Sequence, residues 1–363
     1  MIDRTHVKNI DWALIALLLV NSILGVVFIY SSSHYLPTDY HLKQIFWIAV
    51  GLGMLFVSLL VDYRTLVLYS GYFYAVFVIL LGGMLVFGIM IAGTKSWIRL
   101  PLFQIQPSEL MKIVLILILA RLFSNFSRNF VSWDRGLVAS VLTGIPLVLV
   151  ALQPDLGTAA SYLLILLGAL ILGGLNRKLL IILLIAFILV GVLGWNFLLR
   201  DYQKERLNTL LFPDRDPLGS GYHVLQSKIA VGSGGFLGKG FKSGTQSQLK
   251  FLPARHTDFI FSVIGEEFGF IGIVGVMLFY FLFLARLFQS VAQARDRTGV
   301  YIIFMFGILV SCQFFLNVLM TVGLFPVAGI PLPLLSYGGS SLLTHFIGVG
   351  LVLNVKMRRF VYI

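Results

Sequence analysis

The stretch "FLPARHTDFIFSVIGEEFGFIGIVGVMLFYFLFLARLF", residues 251–288, decides the fold. It opens polar, with Arg255, His256, Thr257 and Asp258 set among aromatic and aliphatic residues. From Phe268 to Ala285 it then carries no charge and no polar stripe. A helix that is apolar all round is buried in a large core or in lipid, and roughly 20 such residues span the hydrocarbon of a bilayer.

The rest of the chain says which. Of 363 residues, 58% are hydrophobic and only 12% charged, with a mean hydropathy of +0.95. A soluble domain averages about 25% charged residues, so the composition implies a polytopic, all-α membrane protein. About ten segments are long and apolar enough to cross, over 11–31, 43–61, 66–88, 108–123, 136–152, 157–174, 178–198, 264–288, 300–323 and 341–356. The expectation is one transmembrane domain over 1–363, with one long extracytoplasmic loop over 199–263. An even number of crossings puts both termini on one side, and the charges choose it. Arg64, Arg121, Arg128, Arg135, Arg177, Arg286, Arg295 and Arg358 fall on the terminal side, against Lys43, Lys95 and Arg99 in the short loops opposite. The positive-inside rule then makes both termini cytoplasmic.

The net charge of +12 is explained by those loops and acidic lipid head groups. No basic soluble domain is present to hold nucleic acid, so no nucleic-acid partner is expected. The single cysteine, Cys312, excludes a disulfide within the chain and a cysteine metal site. The start "MIDRTHVKNID" runs into apolar residues without a small-residue cleavage pattern, which favours a retained first helix.

Chemistry is sought first in the long loop, because structureless loops of that length are uncommon unless functional. Its "YHVLQSKIAVGSGG" reads as a short amphipathic helix ended by glycine. The following "GSGGFLGKGFKSG" fails the Walker pattern, since Gly240 stands where Ser or Thr would hold magnesium. Its glycine amides with Lys239 and Lys242 could still cradle a pyrophosphate, the alternative being a plain flexible loop. Asp258, among Phe251, Phe259 and Phe261, would be partly desolvated, which raises a carboxylate's pKa and strengthens it as a base. The competing reading is a helix cap. His256 and Asp258 could also ligate a metal, although their spacing alone is weak support.

Three further motifs carry charge or broken backbone at membrane depth. "QPSELMK" opens a helix at Pro107 and puts Glu109 and Lys112 on one face. Ionisable groups inside a membrane are functional candidates, or else a structural ion pair. "QPDLGTA" sets Asp155 on a turn, where capping is the local reading. In "GLFPVAGIPLPLLSYGGSS", residues 323–341, Pro326, Pro331 and Pro333 forbid a continuous helix. Non-helical backbone survives at that depth only where protein or a water-filled cavity covers it.

Taken in order, "QPSELMK", "QPDLGTA", "FLPARHTDFIF…GEE" and "PLPLLSYGGSS" resemble the SEDS family (shape, elongation, division and sporulation) over nearly the whole chain. Ile330-Pro331 before Leu332-Pro333 is similar to the elongation members, the division members more often carrying threonine before the Leu-Pro. The resemblance implies a peptidoglycan glycosyltransferase that polymerises lipid II, the undecaprenyl-pyrophosphate disaccharide-pentapeptide, on the outer face of the bacterial inner membrane. It implies a class B penicillin-binding protein transpeptidase as partner within the elongation machinery. The family's essential outer-loop aspartate falls on Asp258, as general base or as the carboxylate holding a divalent cation (Mg or Mn), with no organic cofactor. Supporting positions fall on Glu109, Lys112, Asp155, His256, Thr257, Ser336, Tyr337, Gly338 and Gly339, and pyrophosphate contacts on Lys239, Lys242 or Arg255. Ala254 departs from the pattern, standing where an acid is common. Two rivals are a lipid II flippase, for which broken helices also suit, and a non-catalytic scaffold in which Asp258 only caps a helix.

Overall fold

The computed structural model describes residues 9–33, 38–91, 93–99, 103–124, 132–174, 220–249 and 251–359, with positions 181 and 204. The span expected over 178–198 and the first part of the long loop lie outside these residues.

The other nine expected spans are helices. They are α1 (Trp12–Ser33), α2 (Tyr40–Leu60), α4 (Ser70–Phe87), α5 (Pro107–Ser124), α6 (Trp133–Leu152), α7 (Leu156–Gly173), α10 (Ile260–Ala292), α11 (Arg297–Thr321) and α12 (Gly339–Met357). Short helices α3 (Tyr63–Leu68), α8 (Ser220–Ser233) and α9 (Thr245–Gln248) complete the set. Eight of the nine meet the length and hydropathy expected of a membrane span. The exception, α5, is charged at Glu109, Lys112 and Arg121.

That charged helix is nonetheless at the centre. From Pro107 to Phe123 nearly every face of α5 is buried, against α4, α7, α11 and α12. Glu109 in its first turn and Arg121 in its last complement the helix dipole. Helix α12, buried along almost its whole length, packs on α2 and α5.

A feature absent from the all-α expectation joins α4 to α5. Strands β1 (Ile89–Ile91), β2 (Thr94–Arg99) and β3 (Gln104–Ile105) form a small antiparallel sheet in the order β1-β2-β3. Lys95 Nζ donates to the carbonyls of Leu85 (2.8 Å) and Val86 (3.0 Å), satisfying the end of α4. Its backbone N–H reaches Gln153 O at 3.2 Å, tying the sheet to the α6–α7 turn.

The two ends of the bundle differ in charge. One end carries Arg64 with Asp296, Arg358 with Asp62, and Arg286 and Lys356 together on Asp11. The other holds the sheet, the 323–338 segment and the loop bearing Asp258.

Candidate functional site

Asp258 lies just before α10, on a compact turn over 252–259. Ala254 adopts a positive φ of 47°, and its carbonyl accepts from the N–H groups of Thr257 (3.1 Å) and Phe259 (3.3 Å). That left-handed residue reverses the chain tightly enough to bring Asp258 to the helix start.

The turn is sewn to the proline-rich segment between α11 and α12. Ser336 Oγ donates to Thr257 O at 2.5 Å and accepts from Leu332 N at 2.9 Å. Tyr337 N donates to His256 O at 2.9 Å. Asn317, in α11, donates its amide to Asp258 O (2.9 Å) and to Ile330 O (2.8 Å). One buried side chain therefore holds the backbone of the candidate carboxylate and that of the proline segment together. Gln44 in α2 reaches Ser336 O at 3.3 Å.

Around this join stand three rings. His256 stacks on Tyr40 with centroids 4.4 Å apart, and Tyr337 packs edge-on to Tyr40 at 4.9 Å. Burial, helped by the neighbouring Arg255 charge, pushes the His256 imidazole down to about 4. It is neutral at physiological pH, and its Nδ1 is buried without a hydrogen-bond partner among the described residues.

The second group sits beside the sheet. Lys112 Nζ and Glu109 Oε1 are 2.6 Å apart, with side chains only 2% and 5% exposed. Asp155 caps α7 through Thr158 N (3.1 Å) and Thr158 Oγ1 (2.9 Å), and accepts from Gln106 Nε2 at 2.6 Å. Gln106 N in turn donates to Ser340 Oγ at 2.9 Å. Segment 328–341 thus joins the two groups, with Ser336 in one and Ser340 in the other. Gly157 and Gly339 lie where no side chain fits, the first against the Ala328 carbonyl and the second against the Trp47 indole.

The expected pyrophosphate cations are not equivalent. Lys239 Nζ pairs with the buried Glu266 Oε1 at 2.9 Å and with Thr245 Oγ1 at 2.8 Å. Arg255 is buried, its guanidinium donating to Ser247 O. Lys242 Nζ lies 4.0 Å from the centroid of the Tyr30 ring and makes no ion pair among the described residues. Backbone amides of the glycine-rich loop are also committed: Lys239 N donates to Glu266 O (3.0 Å) and Gly240 N to Glu267 O (2.9 Å). The Glu266 carboxylate accepts from Gln246 N (2.8 Å) and Ser247 N (3.0 Å), and that of Glu267 from Ser31 Oγ (2.5 Å). A loop built on two buried carboxylates is organised as a packed unit rather than an open cradle.

Asn317, Gln106, Tyr40 and Ser340 were not singled out as site residues from sequence. Asn317 carried a signal, as an amide inside an otherwise apolar run.

The FtsW/RodA/SpoVE family model, described as a cell cycle protein, matches residues 11–360. The peptidoglycan glycosyltransferase MrdB of Escherichia coli K12 is 39% identical over 362 residues, covering 98% of this chain and 95% of that protein. The peptidoglycan glycosyltransferase RodA of Treponema pallidum is 32% identical, covering 97% and 99% respectively. Among solved structures, a chain of a peptidoglycan synthase complex that coordinates polymerization and crosslinking aligns with a TM-score of 0.82 at 35% identity, covering 97% of this chain and 98% of that one. The rod shape determining protein RodA of Thermus thermophilus aligns with a TM-score of 0.72 at 31% identity, covering 97% and 98%.

Proposed function

Because the chain belongs to the FtsW/RodA/SpoVE family and is a peptidoglycan glycosyltransferase of the cell-elongation kind, we propose that it polymerises lipid II with Asp258 as the general base. In this step the 4-hydroxyl oxygen of the acceptor GlcNAc bonds to the anomeric carbon of the donor. Its proton passes to the Asp258 carboxylate. The bond from the anomeric carbon to the pyrophosphate oxygen breaks, and the lipid pyrophosphate leaves with the electron pair.

The observation that carries this reading is the clamp on Asp258. Asn317, the Ala254 turn and the Ser336–Thr257 bond fix the backbone on both sides of the carboxylate. A base held in place converts an encounter into a positioned transfer. Lys242, which makes no ion pair among the described residues, is the one of the three expected cations left available to offset charge on the departing pyrophosphate.

Among the described residues no three of His, Cys, Asp and Glu converge as a metal cage. A hard divalent cation commonly uses one or two carboxylates plus substrate phosphates, and Asp258 is the residue that would hold it here. Bound there, such an ion would neutralise pyrophosphate charge. The outer face is assigned to the Asp258 end and both termini to the cytoplasm, because Arg64, Arg286, Lys356 and Arg358 gather at the opposite end. Similarity to a chain of a synthase complex supports a class B transpeptidase as the partner that crosslinks the strands.

The test is polymerisation of purified lipid II by the full chain with its transpeptidase. General acid–base catalysis contributes about 10²–10⁴-fold, so Asp258→Asn should melt like the wild type and lose at least about a hundredfold in rate. A folded Asp258→Asn that makes glycan normally would end the proposal.

A further inference from the structure

We propose that the hairpin of residues 234–242 is inserted into the membrane surface beside α10, as a lipid-facing anchor for the loop that carries Asp258. The starting point is a break in α10. Gly269 has φ 61° and ψ −153°, inside what is otherwise continuous helix. Such a break frees amides that had intrahelical partners, and hydrocarbon offers no water to replace them.

The hairpin supplies the replacements. Phe270 N donates to Gly235 O at 2.9 Å and Ile271 N to Phe236 O at 3.3 Å. In the other direction, the amides of Lys239 and Gly240 reach the carbonyls of Glu266 and Glu267. Gly238 packs directly on the backbone of Glu267 and Phe268, with no room for a Cβ. Four backbone hydrogen bonds therefore seat the hairpin in the break as part of the wall of α10.

Its depth follows from the helix. From Phe270 to Ala285, the last residue before Arg286 at the charged end, α10 is about 24 Å long at 1.5 Å per residue, short of the roughly 30 Å hydrocarbon. Phe270 then lies just inside the leaflet boundary. Phe236 stacks on Phe270 with centroids 5.8 Å apart, which places it at the same level.

The side chains match that level. Phe236 is 66% and Leu237 74% exposed, although a loop in water has no reason to present them. Phe270 beside them, and Val274, Met277 and Phe281 below, are also exposed, recurring at helical spacing as one stripe of the transmembrane surface. The hairpin extends that stripe without interruption, so the same lipid that covers the helix covers the hairpin. Lys242, its ammonium over the Tyr30 ring, supplies a cation at the hairpin's end, Lys239 being already paired with Glu266. An ammonium with an aromatic partner is the pairing found at head-group level.

A single-cysteine background tests this, since Cys312 is the one cysteine of the chain. In Cys312→Ser protein reconstituted in lipid nanodiscs, a nitroxide is placed on Leu237→Cys, and on Phe281→Cys as a lipid-facing control. Collision with oxygen should exceed collision with a water-soluble nickel chelate severalfold at 237, with the same sign as at 281. Phe236→Cys should repeat the result and stands in if Leu237→Cys does not fold. Dominant collision with the nickel chelate would put the hairpin in water and overturn the proposal. A label immobilised and reached by neither reagent would show a protein cover, such as a second copy, and overturn it equally.

Discussion

Asn317 is the residue whose removal should separate position from chemistry. Its side chain is fully buried, and its amide holds Asp258 O at 2.9 Å and Ile330 O at 2.8 Å. In Asn317→Ala both carbonyl oxygens lose that donor inside the protein, at about 1–3 kcal/mol each, so a total of about 2–6 kcal/mol is expected. Asn317→Asp keeps the volume but replaces the donor with an oxygen facing two other oxygens, and should be worse. The chemical effect is distinct from the stability effect. Displacing a catalytic group by about 1 Å costs on the order of 10²-fold, which is about 2.7 kcal/mol of barrier. The assay is glycan formation at saturating and limiting lipid II, alongside a thermal melt of each variant. The expected result is a kcat reduced about a hundredfold with KM little changed, and Asp below Ala in both rate and melting temperature. An Asn317→Ala protein with wild-type melting and a wild-type rate would refute the reasoning, since the clamp would then hold nothing that matters.

Two other outcomes follow from the same geometry. Lys112→Met strands the buried Glu109 carboxylate, 2.6 Å from the lost ammonium. It should destabilise the protein by about 3–5 kcal/mol, and the double variant Glu109→Gln/Lys112→Met should recover most of that in a thermal melt. His256 is neutral in the fold, its pKa pushed down to about 4 by burial and by Arg255, whereas the unfolded chain protonates it near 6.5. Below about pH 6.5 the unfolded state binds more protons, so this contribution to stability is lost as pH falls toward 4. The melting temperature should decline through that window less steeply in His256→Asn than in the wild type.

Much of the architecture was legible because lipid makes a severe demand: an uninterrupted apolar run either spans or is buried. Helix α5 remained readable despite three charges, since Pro107 and Ser108 marked its start. The small sheet was not readable, its strands being too short for a period-two pattern, and its register depends on Gln153 and Gln106. Asp258 stood out locally, as a carboxylate among aromatic residues. Its clamp did not, because Asn317 lies 59 positions away and no local periodicity encodes such a pairing. The lysines show how differently two neighbours in one motif can be placed. "GSGGFLGKGFKSG" suggests free amides and free ammonium groups, yet Glu266 and Glu267, beyond the motif, accept from the amides of Lys239 and Gly240, and Glu266 pairs with the Lys239 ammonium. Composition advertises what a loop could bind; only the fold shows what it has already bound.

The proline segment also bears on biogenesis. Its polar groups are satisfied by residues from across the chain: Gln44 on Ser336, 292 positions apart; Thr257 with Ser336, 79 apart; and Gln106 with Ser340, 234 apart. Helices α1 to α11 emerge from the ribosome before that segment exists. An insertion intermediate that ends at α11 therefore lacks the Ser336 and Tyr337 anchors of Thr257 and His256. The turn that carries Asp258 is therefore completed from its far side only after the chain has passed α11.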